Sequence, residues 1–254
     1  MGAGSLDRRT PAPVLAPYVA WYWSVRWDLR GRPAHRQVTL PHASSHLTVE
    51  EGAAWLYGPP RRRFERVLAG EGRVVGVRFT AGGLAAVLGR ALVGGPVPAS
   101  TLPGLGSDEL AAAVTGSVDI DDAARMFDRA LTTVLPEDVD PAVEIVENAV
   151  RIVEQDRSLL RVSDLADRLG LATRTLQRFF ATYVGVSPGW VIRRCRLQEV
   201  ALRATEGGHV DWVRLAADLG YYDQAHLVRD FTTAIGVPPA RYAGTQAGAD
   251  ATTT

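Results

Sequence analysis

An α+β protein is predicted, with an N-terminal β-rich, barrel-like domain carrying accessory helices and a C-terminal all-α domain of two helix-turn-helix units joined by a linker helix. Three observations predict it. Between Tyr18 and Phe79 the chain runs in short aromatic and β-branched segments broken by Gly and Pro, the pattern of strands. Later in the chain, Leu176, Phe179, Phe180 and Tyr183 fall at i, i+3, i+4 and i+7, the stripe of a helix packed on one side. A ten-letter pattern also occurs twice, about 50 residues apart. Leu165, Ala166, Leu169, Gly170, Leu176, Arg178, Phe180, Gly185, Val186 and Pro188 recur as Leu215, Ala216, Leu219, Gly220, Leu227, Arg229, Phe231, Gly236, Val237 and Pro239. So many identities in register mark one supersecondary unit used twice.

A chain of 254 residues is long enough for two domains, each with its own core. A hydrophobic fraction of 46% with mixed charges suits a globular protein. No run of about 18 apolar residues offers a membrane span, and MGAGSLDRRTPAP lacks the apolar core of a secretory signal. The single cysteine, Cys195, excludes an intramolecular disulfide and a multi-cysteine zinc site, in keeping with a reducing cytoplasm. Formal net charge is zero, so attraction to a polyanion has to come from local distribution. All basic residues are arginine, and six (Arg174, Arg178, Arg193, Arg194, Arg196 and Arg203) lie between Thr173 and Arg203 against one acid, Glu199.

Residues 1–17 are small and proline-containing and read as frayed. Strands follow at Tyr18–Trp27, Gln37–Leu40, His46–Val49, Ala53–Tyr57, Phe64–Leu68 and Val74–Phe79, where Val75, Val77 and Phe79 alternate with Val74, Gly76 and Arg78 as on a strand with one buried face. Four of the six tryptophans (Trp21, Trp23, Trp27 and Trp55) sit here, predicting an aromatic interior. Trp21, Trp23, Trp55 and Tyr57 are candidates to line an effector pocket, with core packing the equal alternative. His35, His42, His46 and Glu50 suggest a metal, but the dense His-x-His pairing of such barrels is missing, so no metal or other cofactor is expected.

Gly82–Leu92 reads as helical, Gly94–Gly106 as a connection, and Ser107–Val114 and Asp119–Leu135 as two further helices, the last with acids at its start where the helix dipole favours them. The acidic, proline-bracketed stretch Val134–Pro141 is the expected boundary. The domains are therefore 1–136, with a helical connector at about 107–135, and 141–243. Residues 244–254 are expected to form a disordered tail.

In the first unit Ser163 is read as the cap of a helix ending at Leu169, with Leu165, Ala166 and Leu169 on one face and Gly170 as the turn. The next helix turns Arg174, Gln177, Arg178 and Ala181 away from its stripe. Arg and Gln pair bidentately with guanine and adenine edges in the major groove, and a small side chain allows contact with a thymine methyl. The second unit starts at the cap Asp211, packs Val213, Leu215, Ala216 and Leu219, and continues from Asp223 with Leu227, Phe231 and Ile235 inward and Gln224, Ala225, His226, Val228 and Arg229 outward. Pro188 opens the linker helix, which continues from Trp190 to about Ala204 with Val191, Ile192, Cys195, Leu197 and Leu202 as apolar contacts and Arg193, Arg194 and Arg196 as charge. That stretch spans roughly 21 Å at about 1.5 Å per residue, enough with the flanking helices to hold two heads about one DNA turn apart.

The pieces LADRLGLATRTLQRFF, GVSPGWVIRRCRLQEVALR, LAADLGYYDQAHLVRDF and GVPPARY together resemble the DNA-binding domain of the AraC family of bacterial transcription regulators, over about residues 141–242. The resemblance implies two reading heads on double-stranded DNA, a rigid linker and action beside RNA polymerase. It carries base contacts onto Arg174, Gln177, Arg178 and Ala181 in the first head and Gln224, Ala225 and Arg229 in the second. Phosphate contacts are separately expected at Thr173, Arg193, Arg194 and His226. Ala225 stands where a polar reader is common in the family. Arg178 and Arg229 have a structural or phosphate alternative, as has Gln224, and His226 has a solvated one.

The expected protein is a cytoplasmic, non-enzymatic regulator with an N-terminal domain that binds a small-molecule effector, forms a homodimer, or both. The alternative is a barrel-domain enzyme fused to DNA-binding heads, which needs a convergent acid/base or ligand set that the sequence does not display. An alkyl-transfer version needs several cysteines, and one Cys defeats it.

Overall fold

The computed structural model describes residues 4–39, 42–60, 64–102, 104–206 and 210–246, and no helix among them is long and apolar enough to cross a membrane. Leu40 and residues 247–254 of the expected tail lie outside the described residues. The strands are β1 (Gly4–Arg9), β2 (Val19–Asp28), β3 (His35–Thr39), β4 (His46–Glu50), β5 (Ala53–Tyr57), β6 (Phe64–Leu68), β7 (Glu71–Phe79) and β8 (Val97–Pro98). Six form one sheet in the order β1-β2-β7-β4-β5-β8, and β3 pairs with β6 in a second. Every pairing is antiparallel. The helices are α1 (Gly83–Leu88), α2 (Asp108–Thr115), α3 (Ile120–Val134), α4 (Pro141–Gln155), α5 (Val162–Arg168), α6 (Thr173–Phe179), α7 (Pro188–Thr205), α8 (Trp212–Asp218), α9 (Gln224–Ile235) and α10 (Pro239–Gln246). The architecture is α+β, a sheet-rich N-terminal part followed by helices.

The alternation of β7 decides how the large sheet packs. Val75, Val77 and Phe79 join Tyr22, Leu47 and Leu56 under α2 and α3, where Ala123, Phe127 and Leu131 are fully buried. Tyr22 stacks on Phe127 at 5.6 Å and donates its hydroxyl to Asp128 Oδ1. The opposite face is also covered. Val74 packs with Trp27, Leu29 and Leu68, and Arg66 of β6 lies over the Trp27 ring while pairing with Glu50. The barrel-like expectation thus takes the form of two sheets facing each other across aromatic side chains. On this face Gly76 is a necessity of packing. A Cβ there would stand 2.6 Å from the Trp23 indole and 2.8 Å from the Leu47 carbonyl oxygen.

Three expectations are corrected. Residues 4–9 are a strand, paired with β2 from Gly4↔Trp27 to Arg9↔Tyr22, and Leu15 is 1% exposed. Charged residues along an edge strand hid it, although such charge protects an open edge. The helix expected over Gly82–Leu92 stops at Leu88 because Gly89 turns left-handed, φ +70°. At the other end α10 runs through Gln246, so residues 244–246 are helical, and Tyr242 packs edge-on to Phe231 at 5.4 Å.

The helices from α4 onward build two further cores. Val146, Val150, Leu165, Leu176, Phe180, Val191, Ile192 and Cys195 build one, which also takes in Ala43 and Ala81 from the sheet-rich part. Leu197, Val200, Ala201, Ala216, Leu219, Leu227, Phe231 and Ile235 build the other. Helix α7 supplies residues to both.

Gly76→Ala is expected to destabilise the protein by about 1–3 kcal/mol, the usual cost of forcing an added methyl into a packed interior. Urea unfolding followed by tryptophan fluorescence checks this, with a lower midpoint at unchanged slope as the expected result.

Candidate nucleic-acid interface

The first head is α5, a turn at Gly170 (φ +65°) and α6. Leu171 N–H donates to Ala166 O at 2.9 Å, closing the turn, while Leu165, Leu176 and Phe180 are fully buried. Helix α6 therefore presents Arg174, Gln177 and Arg178 to solvent, and Ala181, just past its end, is exposed beside them. Among the described residues neither Arg174 nor Gln177 has a hydrogen-bond or ion-pair partner, and Arg178 has only the Phe179 ring 5.7 Å from its guanidinium carbon. Thr173 opens the helix, half-buried.

Two details differ from the sequence reading. Helix α5 starts at Val162 with Arg161 at its cap position. Ser163 lies inside its first turn and donates its hydroxyl to Asp164. After α6 the chain widens into a π turn, Phe180–Val184, where Gly185 N–H reaches Phe180 O at 2.8 Å. This shift leaves Phe179 and Tyr183 only half-buried. It also aims the Tyr183 hydroxyl at the Asp140 carboxylate, which holds that carboxyl below its usual range.

The arginine cluster separates into distinct classes. Arg193 is bound to Asp230 of α9, its Nε 2.9 Å from Oδ1, and Tyr221 donates to the other oxygen of the same carboxylate at 3.0 Å. Arg196 reaches Leu219 O and lies over Tyr221. Arg203 pairs with Glu199 and Glu206. Arg194, expected on the phosphate-facing surface, is 6% exposed with its guanidinium carbon 5.3 Å from the Trp190 ring centroid. Burial, aided by Arg193, depresses its pKa to about 10. The reason is geometric: α7 is covered by two cores, so a charged residue on it is not thereby exposed. Cys195 is packing, its thiol pushed up to about 11 chiefly by burial. Of the six arginines between Thr173 and Arg203, only Arg174 and Arg178 stand exposed without a hydrogen-bond or ion-pair partner among the described residues.

In the second head Asp211 caps α8 by accepting from Arg214 N–H, and Gly220 makes the turn at φ +68°. Asp223 caps α9 by accepting from His226 N–H. Gln224, Ala225, His226 and Arg229 are exposed, and the His226 ring meets Tyr221 edge-on at 5.3 Å. Val213, expected inside, is 66% exposed. The helix is rotated so that Trp212 takes the inward position, packed against the core. An open groove of about 740 Å³ results, lined among others by Val213, Ala217, Tyr222, Ala225, Val228 and Arg229.

The four effector-pocket candidates share one face of the large sheet. Strand register sets Trp23, Gly76, Thr48 and Trp55 in one row and Trp21, Arg78, His46 and Tyr57 in the next. Trp21 is sandwiched by Arg8 and Arg78, at 5.1 and 4.2 Å. Among the described residues, Trp23 Nε1 and His46 Nδ1 are sealed from solvent without a hydrogen-bond partner.

Sequence reasoning missed the contacts that tie this sheet to the helices. Ala81 N–H donates to Glu147 at 2.7 Å, Ala91 N–H donates to Thr182 O in the π turn at 2.8 Å, and the His42 ring meets Gln198 at 3.3 Å and Glu154 at 3.8 Å. Burial raises the Glu147 carboxyl. Burial also opposes the Glu154 carboxylate, yet His42, Arg78 and Arg157 outweigh it and hold that carboxyl low. Only homologous sequences or coordinates could signal such distant partners.

Family models match two parts of the chain, a domain of unknown function (DUF6597) over residues 7–93 and a helix-turn-helix domain over residues 165–245. None of the curated proteins matches. Among solved structures, a transcriptional regulator with an AraC-type DNA-binding domain from Chromobacterium violaceum is similar at 19% identity and TM-score 0.39, over 43% of this chain and 97% of that one. The C-terminal domain of AraT, a response regulator from Geobacillus stearothermophilus, is similar at 22% identity and TM-score 0.37, over 43% and 91%. ToxT from Vibrio cholerae O395 aligns at 10% identity and TM-score 0.44, over 98% and 96%.

The inward-facing His46 and the half-buried His42 predict a pH dependence. Burial, with Arg78 and His42 adding to it, depresses His46 to about 3, and burial also lowers His42. An unfolded histidine titrates near 6.5, so from about pH 6.5 down to about 3 the unfolded chain binds the extra proton. Stability is therefore full above that window and falls as pH drops through it, by up to about 1.4 kcal/mol per pH unit for His46. Denaturant unfolding at several pH values should show this slope, and His46→Gln should flatten it.

Proposed function

Since residues 165–245 belong to the AraC-type helix-turn-helix family, DNA-binding domains of transcription regulators, we propose that this chain is a sequence-specific regulator whose two heads read adjacent major-groove segments under the control of its N-terminal domain. The observation that carries the reading is the outer face of α6. Arg174 and Arg178 are the members of the arginine cluster left without hydrogen-bond or ion-pair partners among the described residues, and they flank Gln177 on one exposed face. Exposed guanidinium and amide groups without internal acceptors are the groups that base edges recognise. Helix α7, 18 residues long, spans about 27 Å, and with half a helix width at each end this approaches the roughly 34 Å between successive major grooves on one face of DNA.

In this reading Arg174, Gln177, Arg178 and Ala181 contact bases from the first head, Gln224, Ala225 and Arg229 from the second, and Thr173 and His226 contact phosphate. Arg193 contributes through Asp230, holding α9 against α7, and Arg194 contributes through packing. Residues 1–136 form the sensor or dimerisation domain and 141–243 the DNA-binding domain. The protein works in the cytoplasm beside RNA polymerase. The face of Trp21, Trp23, Trp55 and Tyr57 takes a small-molecule effector, a role supported by Trp23 Nε1 and His46 Nδ1, which are sealed and without hydrogen-bond partners among the described residues.

Site selection from random duplexes by the full chain, followed by footprinting, tests the reading. Arg174→Ala and Arg178→Ala are each expected to weaken the selected complex by about 1–3 kcal/mol while changing non-specific binding less. Equal losses on selected and scrambled duplexes would assign both arginines to phosphates.

A further inference from the structure

The two heads repeat the same scaffold, so their reading positions can be compared residue by residue. With Leu176 placed on Leu227, both fully buried, Ala225 stands where the first head has Arg174, Val228 where it has Gln177, and Arg229 where it has Arg178. The two polar readers have become apolar. The change extends beyond α9. Val213, 66% exposed, and Tyr222, 93% exposed, continue the apolar surface across the groove to Ala217. Val228 is half-buried against the core of Leu227, Phe231 and Ile235, while Ala225, Val213, Tyr222 and Ala217 are exposed and extend its apolar surface outward.

Resting on the proposal that the chain reads DNA, we infer that the second head recognises thymine by its C5 methyl group, through Ala225 and Val228 with Val213 and Tyr222 closing the contact. The major-groove edge of each A·T pair offers one methyl, and apolar side chains are its complement. The partner is DNA because the apolar residues occupy the reading positions of the repeat and Arg229 borders the groove exposed and without a partner among the described residues. Charge favours the same division of labour. Residues 161–185 hold four Arg and two Asp, whereas residues 210–246 hold three Arg and four Asp. All four of those acids are already engaged, Asp211 and Asp223 as helix caps, Asp218 with Arg214 and Asp230 with Arg193. Without an excess of cations to grip phosphates, the second head has to draw its specific affinity from the groove floor. The expected operator is asymmetric, with guanine and adenine read in one half and an A/T-rich run read in the other.

Deoxyuridine lacks only the methyl of thymine, so it tests this directly. A duplex selected from a random library by the full chain is divided into halves by the protections that Arg174→Ala and Arg229→Ala each remove. Each thymine is then replaced singly by deoxyuridine. In the half read by the second head, removal of a contacted methyl should weaken binding roughly four-fold, the loss expected for one methyl group withdrawn from an apolar contact. In Ala225→Ser, at an exposed position, or Val228→Ala, at a half-buried one, the same replacement should make little further difference. A selected duplex in which no second-half thymine responds, or in which the response persists in both variants, overturns methyl recognition while leaving the DNA-reading role intact. Failure to select any duplex removes both. If Tyr222→Ala and Val213→Ser leave DNA affinity unchanged but abolish binding of purified RNA polymerase, the groove belongs to a protein and the inference fails.

Discussion

Helix α7 is the constraint on which the arrangement of the heads depends. Its N-terminal half puts Val191, Ile192 and Cys195 into the first core and its C-terminal half puts Leu197, Val200 and Ala201 into the second. Neither head can rotate about this helix without exposing part of a closely packed interior, and packed interiors resist even small volume changes. The salt bridge from Arg193 to Asp230, with Tyr221 on the same carboxylate, adds a polar brace between α7 and α9. The spacing of the two reading surfaces is thereby set by the length of one helix.

The same packing determines which charges remain available. A stretch with six arginines and one acid would be taken for a phosphate-binding surface, yet four of the six are spent within the protein or buried. Each internal pair removes a cation from the exterior and gives it a positional task instead. What remains, two arginines beside a glutamine, is a smaller surface with greater chemical selectivity. Electrostatic attraction over long distances is correspondingly weak in a chain with no net charge, so the proposed DNA reading would have to depend on fit at the base edges.

Much of this was legible in local pattern. Strands β2, β4, β5, β6 and β7 lie within a few residues of the runs that announce them, and the glycine turns at 170 and 220 with the caps at Asp211 and Asp119 stand where short-range chemistry requires. The errors occur where a local signal has two solutions. Val213 and Trp212 are adjacent apolar residues, and only the packing of α8 on its neighbours selects which one turns inward. Arg194 looked exposed because charge ordinarily marks a surface, whereas Trp190 supplies an aromatic face that shelters it. Strand β1 has too little apolar alternation to be seen without its partner. The hydrogen bond between His42 and Gln198 joins residues 156 positions apart, and no periodicity encodes such a pair.

Those distant pairs also bear on how the two parts of the chain communicate. The contacts from the sheet end on α4 through Glu147 and Glu154, on the π turn through Thr182, and on α7 through Gln198. The π turn directly continues α6, so the backbone that carries Arg174 and Arg178 is hydrogen-bonded, within one turn of its end, to the segment that follows α1. A displacement of His46, Arg78 or their strand neighbours would be felt first at Ala81 and His42, and so at α4 and α7. Gln198 lies in the half of α7 that builds the second core, so the second head is reached as directly as the first. In the proposed reading, coupling between the sheet and DNA therefore reaches both heads, through α4 and the π turn to the first and through Gln198 to the second.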